Sequence, residues 1–258
     1  MHYVMDKSGY VLELESFFKE INEYDIIFIG EVHDLPECQE AELTILRGLS
    51  EREPDLVLGL EMFERDVQDA LDDYLGAVIP EETFLKLSRP WPHYEEGYRP
   101  LIEFAKARQL AVIAANVPRR AAAAVAKTNQ VSVDVLAGDG RFVPDVIHYD
   151  SAEYRERFTE MVAQMTPSAP MKSRSVDGLY KAQVVKDAVM AAALEPFLGR
   201  RILFCCGRFH CDYHLGIPYQ LHRNHPELKI AVLTFATLLE GLPMSERSRV
   251  GDYIWIVK

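Results

Sequence analysis

Continuous apolar runs alternate along this chain with stretches in which apolar residues recur every three or four positions. The runs "DIIFIG" (25–30), "DLVLGLEMF" (55–63), "LAVIAAN" (110–116), "RRILFCC" (200–206), "LKIAVLTF" (228–235) and "DYIWIV" (252–257) predict strands. Most are apolar on successive residues, as expected of strands covered on both faces. Between them, "ECQEAELTILRGLSE" (37–51) places Ala41, Leu43, Leu46 and Leu49 at helical spacing. Further helices are predicted over 65–75, 99–109 (entered through Pro100), 118–128 (entered through Pro118), 151–165, 176–198 and 217–224.

Strands separated by helices predict an α/β fold: a mostly parallel sheet flanked by helices. The rhythm weakens where Gly, Pro and Ser gather. The expectation is therefore one unit spanning 1–258, with helical insertions at one end of the sheet over about 64–98 and 141–198.

Two of the apolar runs end alike. "IIFIGEVHDL" and "ILFCCGRFHCDYH" each pass from the run to a Gly, two residues and a His. Functional groups of parallel sheets collect at the carboxyl ends of strands. Glu31 and His33 follow the first run, Glu61 lies near the end of the second, Asn116 ends the third ahead of Arg119 and Arg120, and Arg208 and His210 follow the fourth. Singly, each reads as a structural polar residue; together they read as a site. Two chemistries fit. His33, Glu61 and His210 could hold a divalent metal with water in an open position. Alternatively, Glu31 and Glu61 act as bases on water with His33 and His210 as orienters, and Arg119 steadies a developing negative charge. In the 176–198 helix, Gln183 and Asp187 share a face, directed either to the same pocket or to solvent.

Composition narrows the partners. A formal net charge of −12, with the 28 Lys and Arg scattered, argues against nucleic acid. Cys38, Cys205, Cys206 and Cys211 lack both a disulfide framework and zinc spacing, and read as buried free thiols. The first residues lack a secretion-signal pattern or a lipidation Cys, and no window reaches the roughly 18 apolar residues of a membrane span. The expectation is a soluble, cytoplasmic protein, or a periplasmic or anchored one if a leader has been removed.

The ordered motifs "IGEVHD", "LEMFERDVQ", "W…YRPLIEFAKARQLAVIAANVPR", "AQVVKDAVMA" and "CGRFH…GIPYQL" resemble the ChaN-like haem-binding family of the Tiki/TraB and erythromycin-esterase-like superfamily, from about Asp25 to Phe235. The resemblance implies haem as cofactor, an iron-uptake role, and a homodimer with two haems stacked at its interface and Tyr on the iron. For such a ligand, Tyr149 and Tyr154 in the irregular middle are the candidates, with His148 beside the first, and Met161, Met165 and Met171 could line the pocket. Wider relatives use paired Gly-x-x-His turns and a Glu for hydrolysis, in some with metal. Those positions are Gly30 to His33, Gly207 to His210 and Glu61 here. The expected function is haem binding, with a hydrolase at the paired turns as the alternative.

Overall fold

A computed structural model of the chain describes residues 3–33, 35–165, 176–237 and 244–257. The strands are β1 (Tyr3–Asp6), β2 (Val11–Leu12), β3 (Ile26–Glu31), β4 (Val57–Glu64), β5 (Ala111–Asn116), β6 (Ile202–Gly207), β7 (Ile230–Thr237) and β8 (Tyr253–Val257). They form one sheet in the order β2-β1-β8-β7-β3-β6-β4-β5. Five pairings are parallel, and two, both involving β1, are antiparallel. The α/β architecture expected from the alternation is therefore the one observed. The short β1–β2 hairpin is an addition to it. Its strands are too brief for a periodic signal.

Side-chain alternation across the pleat divides the core into two layers. Ile27 and Ile29 of β3, Leu58 and Leu60 of β4 and Leu203 and Cys205 of β6 face one way, under the helices Leu14–Ile21, Pro36–Ser50 and Arg99–Arg108. Ile26, Phe28, Ile202, Phe204 and Cys206 face the other way, under Val176–Leu194 and Ile217–Asn224. Fully burying one such side chain is worth about 1.5–3 kcal/mol, and β3 and β6 are buried along their whole length. The four cysteines are free and buried, as expected.

The outer edge of β5 is sealed by a side chain. Gln68 donates from Nε2 to the Val112 carbonyl at 2.8 Å, and its Oε1 accepts from the Ala114 N–H at 2.8 Å. The amide thus pairs with the strand as a neighbouring strand would. The 64–98 stretch is largely helical, with helices Gln68–Leu75 and Glu81–Ser88 and a wide turn over Tyr94–Tyr98. Helix Ala152–Met165 occupies the second irregular stretch. Among the described residues no helix is long and apolar enough to cross a membrane.

Candidate functional site

Strands β3, β6 and β4 are neighbours, so their carboxyl ends bring the two Gly-x-x-His turns and Glu61 together. Gly30 pairs with Cys206 and Glu31 with Gly207, which sets the second turn one residue behind the first. Both glycines are needed for this closeness. A Cβ on Gly30 would stand 3.0 Å from Cys211 Sγ and 3.1 Å from the Arg208 Cα, while one on Gly207 would press on the His33 ring.

Glu31 is buried and saturated with donors. Tyr98 donates its hydroxyl to Oε1 at 2.8 Å, Gln39 donates to Oε2 at 2.8 Å, and His33 Nδ1 lies 2.6 Å from Oε1. Its structural role is thus to hold His33, whose Nδ1 is committed to it and whose Nε2 is left facing Gly207. Burial would lower the His33 pKa, but the bond to Glu31 and the charge of Glu61 raise it. His33 is also the cluster's outlet to solvent, with its side chain 37% exposed, edge-on to Trp91. Beneath Glu31, Glu42 of the Pro36–Ser50 helix is fully buried. Burial and then the adjacent Glu31 charge push its carboxyl well above the ordinary range, which favours the protonated acid.

His210 is held between two buried carboxylates. Nδ1 lies 2.5 Å from Asp187 Oδ1 and Nε2 lies 3.2 Å from Glu61 Oε1. Burial alone would lower its pKa, yet Glu61 and Asp187 push it up to about 10. Glu61, which burial would raise, is held at about 2 by His210 and by the Gly207 N–H, which donates to Oε2 at 2.8 Å. Burial raises Asp187, and the His210 charge works against that. The second Asp187 oxygen accepts the Tyr154 hydroxyl at 2.7 Å, and Gln183 donates to that hydroxyl at 3.3 Å. The shared face of Gln183 and Asp187 therefore points inward.

Arg119 stands at the margin. Its side chain is 69% exposed, 3.6 Å from Glu64, with its guanidinium 5.8 Å above the Trp91 ring. Asn116 is buried, and its Oδ1 has no hydrogen-bond partner among the described residues. His33, Glu61 and His210 are gathered as the spacing suggested, but no group of three His, Cys, Asp or Glu among the described residues is arranged to hold a metal ion.

A cavity of about 510 Å³ opens between helix Ala152–Met165 and the turns after β6. Its wall includes Tyr154 and Phe209, stacked at 5.2 Å, with Met161 and Leu215. Tyr154 links cavity and cluster: its ring lines the first and its hydroxyl belongs to the second. Burial and the Asp187 charge raise its pKa well above the ordinary phenol value. Tyr149 lies instead on a second cavity, of about 610 Å³, and burial raises it to about 12. His148 is tied to helix Ile217–Asn224, with Nε2 2.8 Å from Asn224 Oδ1. Met171 lies outside the described residues.

Sequence reasoning passed over Tyr98 and Gln39, which donate to Glu31, Glu42, buried near it, and Tyr213, which shares the cavity. Gln39 and Glu42 sat on a helix already read for its apolar face, where inward polar residues at 39 and 42 were the available signal. Tyr213 gave none. Its left-handed backbone (φ 63°) is uncommon for a bulky residue and turns its ring onto the cavity wall.

A mixed, mostly parallel sheet with paired Gly-x-x-His turns at adjacent strand ends defines the class. Residues 17–221 match the family described as haem-binding uptake, Tiki superfamily, ChaN, and the chain belongs to that family. Its fold is similar to a solved structure titled cofacial heme binding to ChaN of Campylobacter jejuni, with a TM-score of 0.76 and 18% identity over 100% of this chain and 97% of that one. The erythromycin esterase EreC is similar at a TM-score of 0.53 and 13% identity, over 92% of this chain and 77% of that one. In sequence, the chain is 22% identical to the chloroplastic protein RETICULATA-RELATED 5 of Arabidopsis thaliana over 89% of its length, and spans 34% of that protein.

Proposed function

We propose that this protein binds haem in the cavity walled by Tyr154 and Phe209. One observation carries the reading beyond family membership: a flat aromatic stack faces an open cavity of about 510 Å³ with Met161 and Leu215 beside it. Aromatic and thioether surfaces suit the face of a planar macrocycle. Of the residues weighed as iron ligands, Tyr154 reaches this cavity, but its hydroxyl is bonded to Asp187. Titrating the purified apo-protein with haem should give a saturable Soret shift. Absence of saturation would end this reading.

A second reading rests on His210. A buried imidazolium between two carboxylates, near a half-exposed His33, is the arrangement of a water-activating hydrolase. In that role His33, held by Glu31, would exchange the proton, with the charged Glu61–His210 pair beside it. Metal analysis of the same sample, with His33→Ala as control, separates activation with a metal from activation without one. Haem binding should survive that substitution.

A further inference from the structure

The cavity is not uniformly apolar. Arg157, from helix Ala152–Met165, lines it with its guanidinium 3.4 Å above the Tyr213 ring. Arg208, from the turn after β6, lines it with Nε donating to Asp212 Oδ2 at 3.0 Å. Both side chains are mostly withdrawn from water, at 26% and 22% exposure. Each already pairs with an acid, Arg157 with Glu153 and Arg208 with Asp212. Such pairs hold a guanidinium in place, and an incoming carboxylate can share it. Burial pushes the Asp212 carboxyl up to about 6, against the pull of Arg208, so it opposes a bound anion less as pH falls.

Metal ligation has less to offer here. The described lining includes no His, its acids are Glu160 and Asp212 and its one thioether is Met161, and its two phenols are bonded to carboxylates, Tyr154 to Asp187 and Tyr213 to Glu246 at 2.8 Å. Burial and the bond to Glu246 raise Tyr213, which disfavours the phenolate an iron would need.

We infer that the cavity recognises the paired carboxylates of a tetrapyrrole through Arg157 and Arg208, so that it takes iron-free porphyrin diacids as readily as haem. This rests on the reading of the cavity as the haem site and names what that site selects.

The test titrates the full chain with haem, iron-free protoporphyrin and the protoporphyrin dimethyl ester, following Soret absorbance and tryptophan quenching. The two diacids should bind within about threefold of each other. The diester should bind at least ~10-fold more weakly, the scale of a lost charge-assisted hydrogen bond. Arg157→Gln, on a helix surface, should weaken both diacids about 10-fold and leave the diester unchanged, and Arg208→Lys serves as a milder second variant. Equal binding of diester and diacids, indifference to Arg157→Gln, or binding of haem without the iron-free porphyrin would each overturn the inference. If none of the three ligands binds, the haem reading fails and the inference falls with it.

Discussion

Gly207 and His33 are in contact across neighbouring strand ends: a Cβ on Gly207 would stand 2.6 Å from His33 Nε2. The Gly207 backbone is extended, with φ −61° and ψ 142°, so it is space and not conformation that calls for glycine. The obstacle is the tip of a half-exposed side chain, which can swing outward. Gly207→Ala should therefore cost less than about 1 kcal/mol while moving His33 off its position. At Gly30 the added carbon meets the Arg208 Cα, and backbone must shift. Gly30→Ala should cost roughly 1–3 kcal/mol. Urea melts of both variants, with the His33 ring proton followed by NMR, check the contrast. A Gly207→Ala protein with an unchanged His33 signal would contradict it.

The His210 clamp should give stability a particular pH dependence. Its folded pKa of about 10 exceeds the ~6.5 of an unfolded His. Its contribution is therefore complete below about pH 6.5 and is lost as pH rises through 10. Glu61, at about 2 when folded, contributes fully above about pH 4–5 and loses that contribution as pH falls through 2. His210→Ala leaves two buried carboxylates without their cation and should cost ~3–5 kcal/mol near pH 6. The gap to wild type should narrow by pH 9.5. A gap that stays flat would mean that His210 is neutral in the folded protein.

Glu42 makes the opposite case. Its folded pKa lies well above the ordinary value, so the stability tied to its proton is complete at low pH and drains away as pH rises. Glu42→Gln replaces the titrating acid with a neutral amide of similar shape. The variant should match wild type near pH 5 and become the more stable of the two as pH approaches 9, by chemical denaturation. If it is destabilised equally at every pH, Glu42 is already ionised beside Glu31.

Tyr154→Phe keeps the ring on Phe209 and removes the hydroxyl that Asp187 accepts. Leaving that buried oxygen without its donor should cost about 1–3 kcal/mol. Haem affinity should change little, because the aromatic wall remains. Loss of the Soret shift with stability intact would make Tyr154 an iron ligand after all.

Gln68→Ala strips both bonds from the outer edge of β5 and should destabilise by roughly 1–2 kcal/mol. Amide exchange read at Ala114 should accelerate more than exchange at the centre of β3.

Much of this was legible in the chain. Apolar runs in β3, β4, β6 and β7 are continuous because both faces are covered, and that continuity marked the strands. Glu31 and His33 were found because a Gly followed by polar residues at a buried strand end is conspicuous locally. Asp187 was only half legible: its spacing from Gln183 gave a helix face, while the direction of that face depended on β6, some twenty residues onward. Gln68 and Glu42 were harder still. Each sits on an amphipathic helix where a polar residue is unremarkable; Gln68's partner, the β5 backbone, is distant in sequence, and Glu42's neighbour Glu31 lies on a different element. The N-terminal hairpin escaped because four and two residues cannot display a period.

The one-residue offset between Gly30 and Gly207 carries a consequence for how such a chain can change over time. Side chains along β3 and β6 can be exchanged for others of similar bulk, and the turns will still meet. Adding or deleting a single residue in either strand reverses which way every later side chain points. A residue added within β3, for example, would turn Glu31 away from Gln39 and Tyr98 and toward the opposite layer. Descendants of this protein are free to drift in spelling there but not in length, and gaps in that region should be rarer than substitutions.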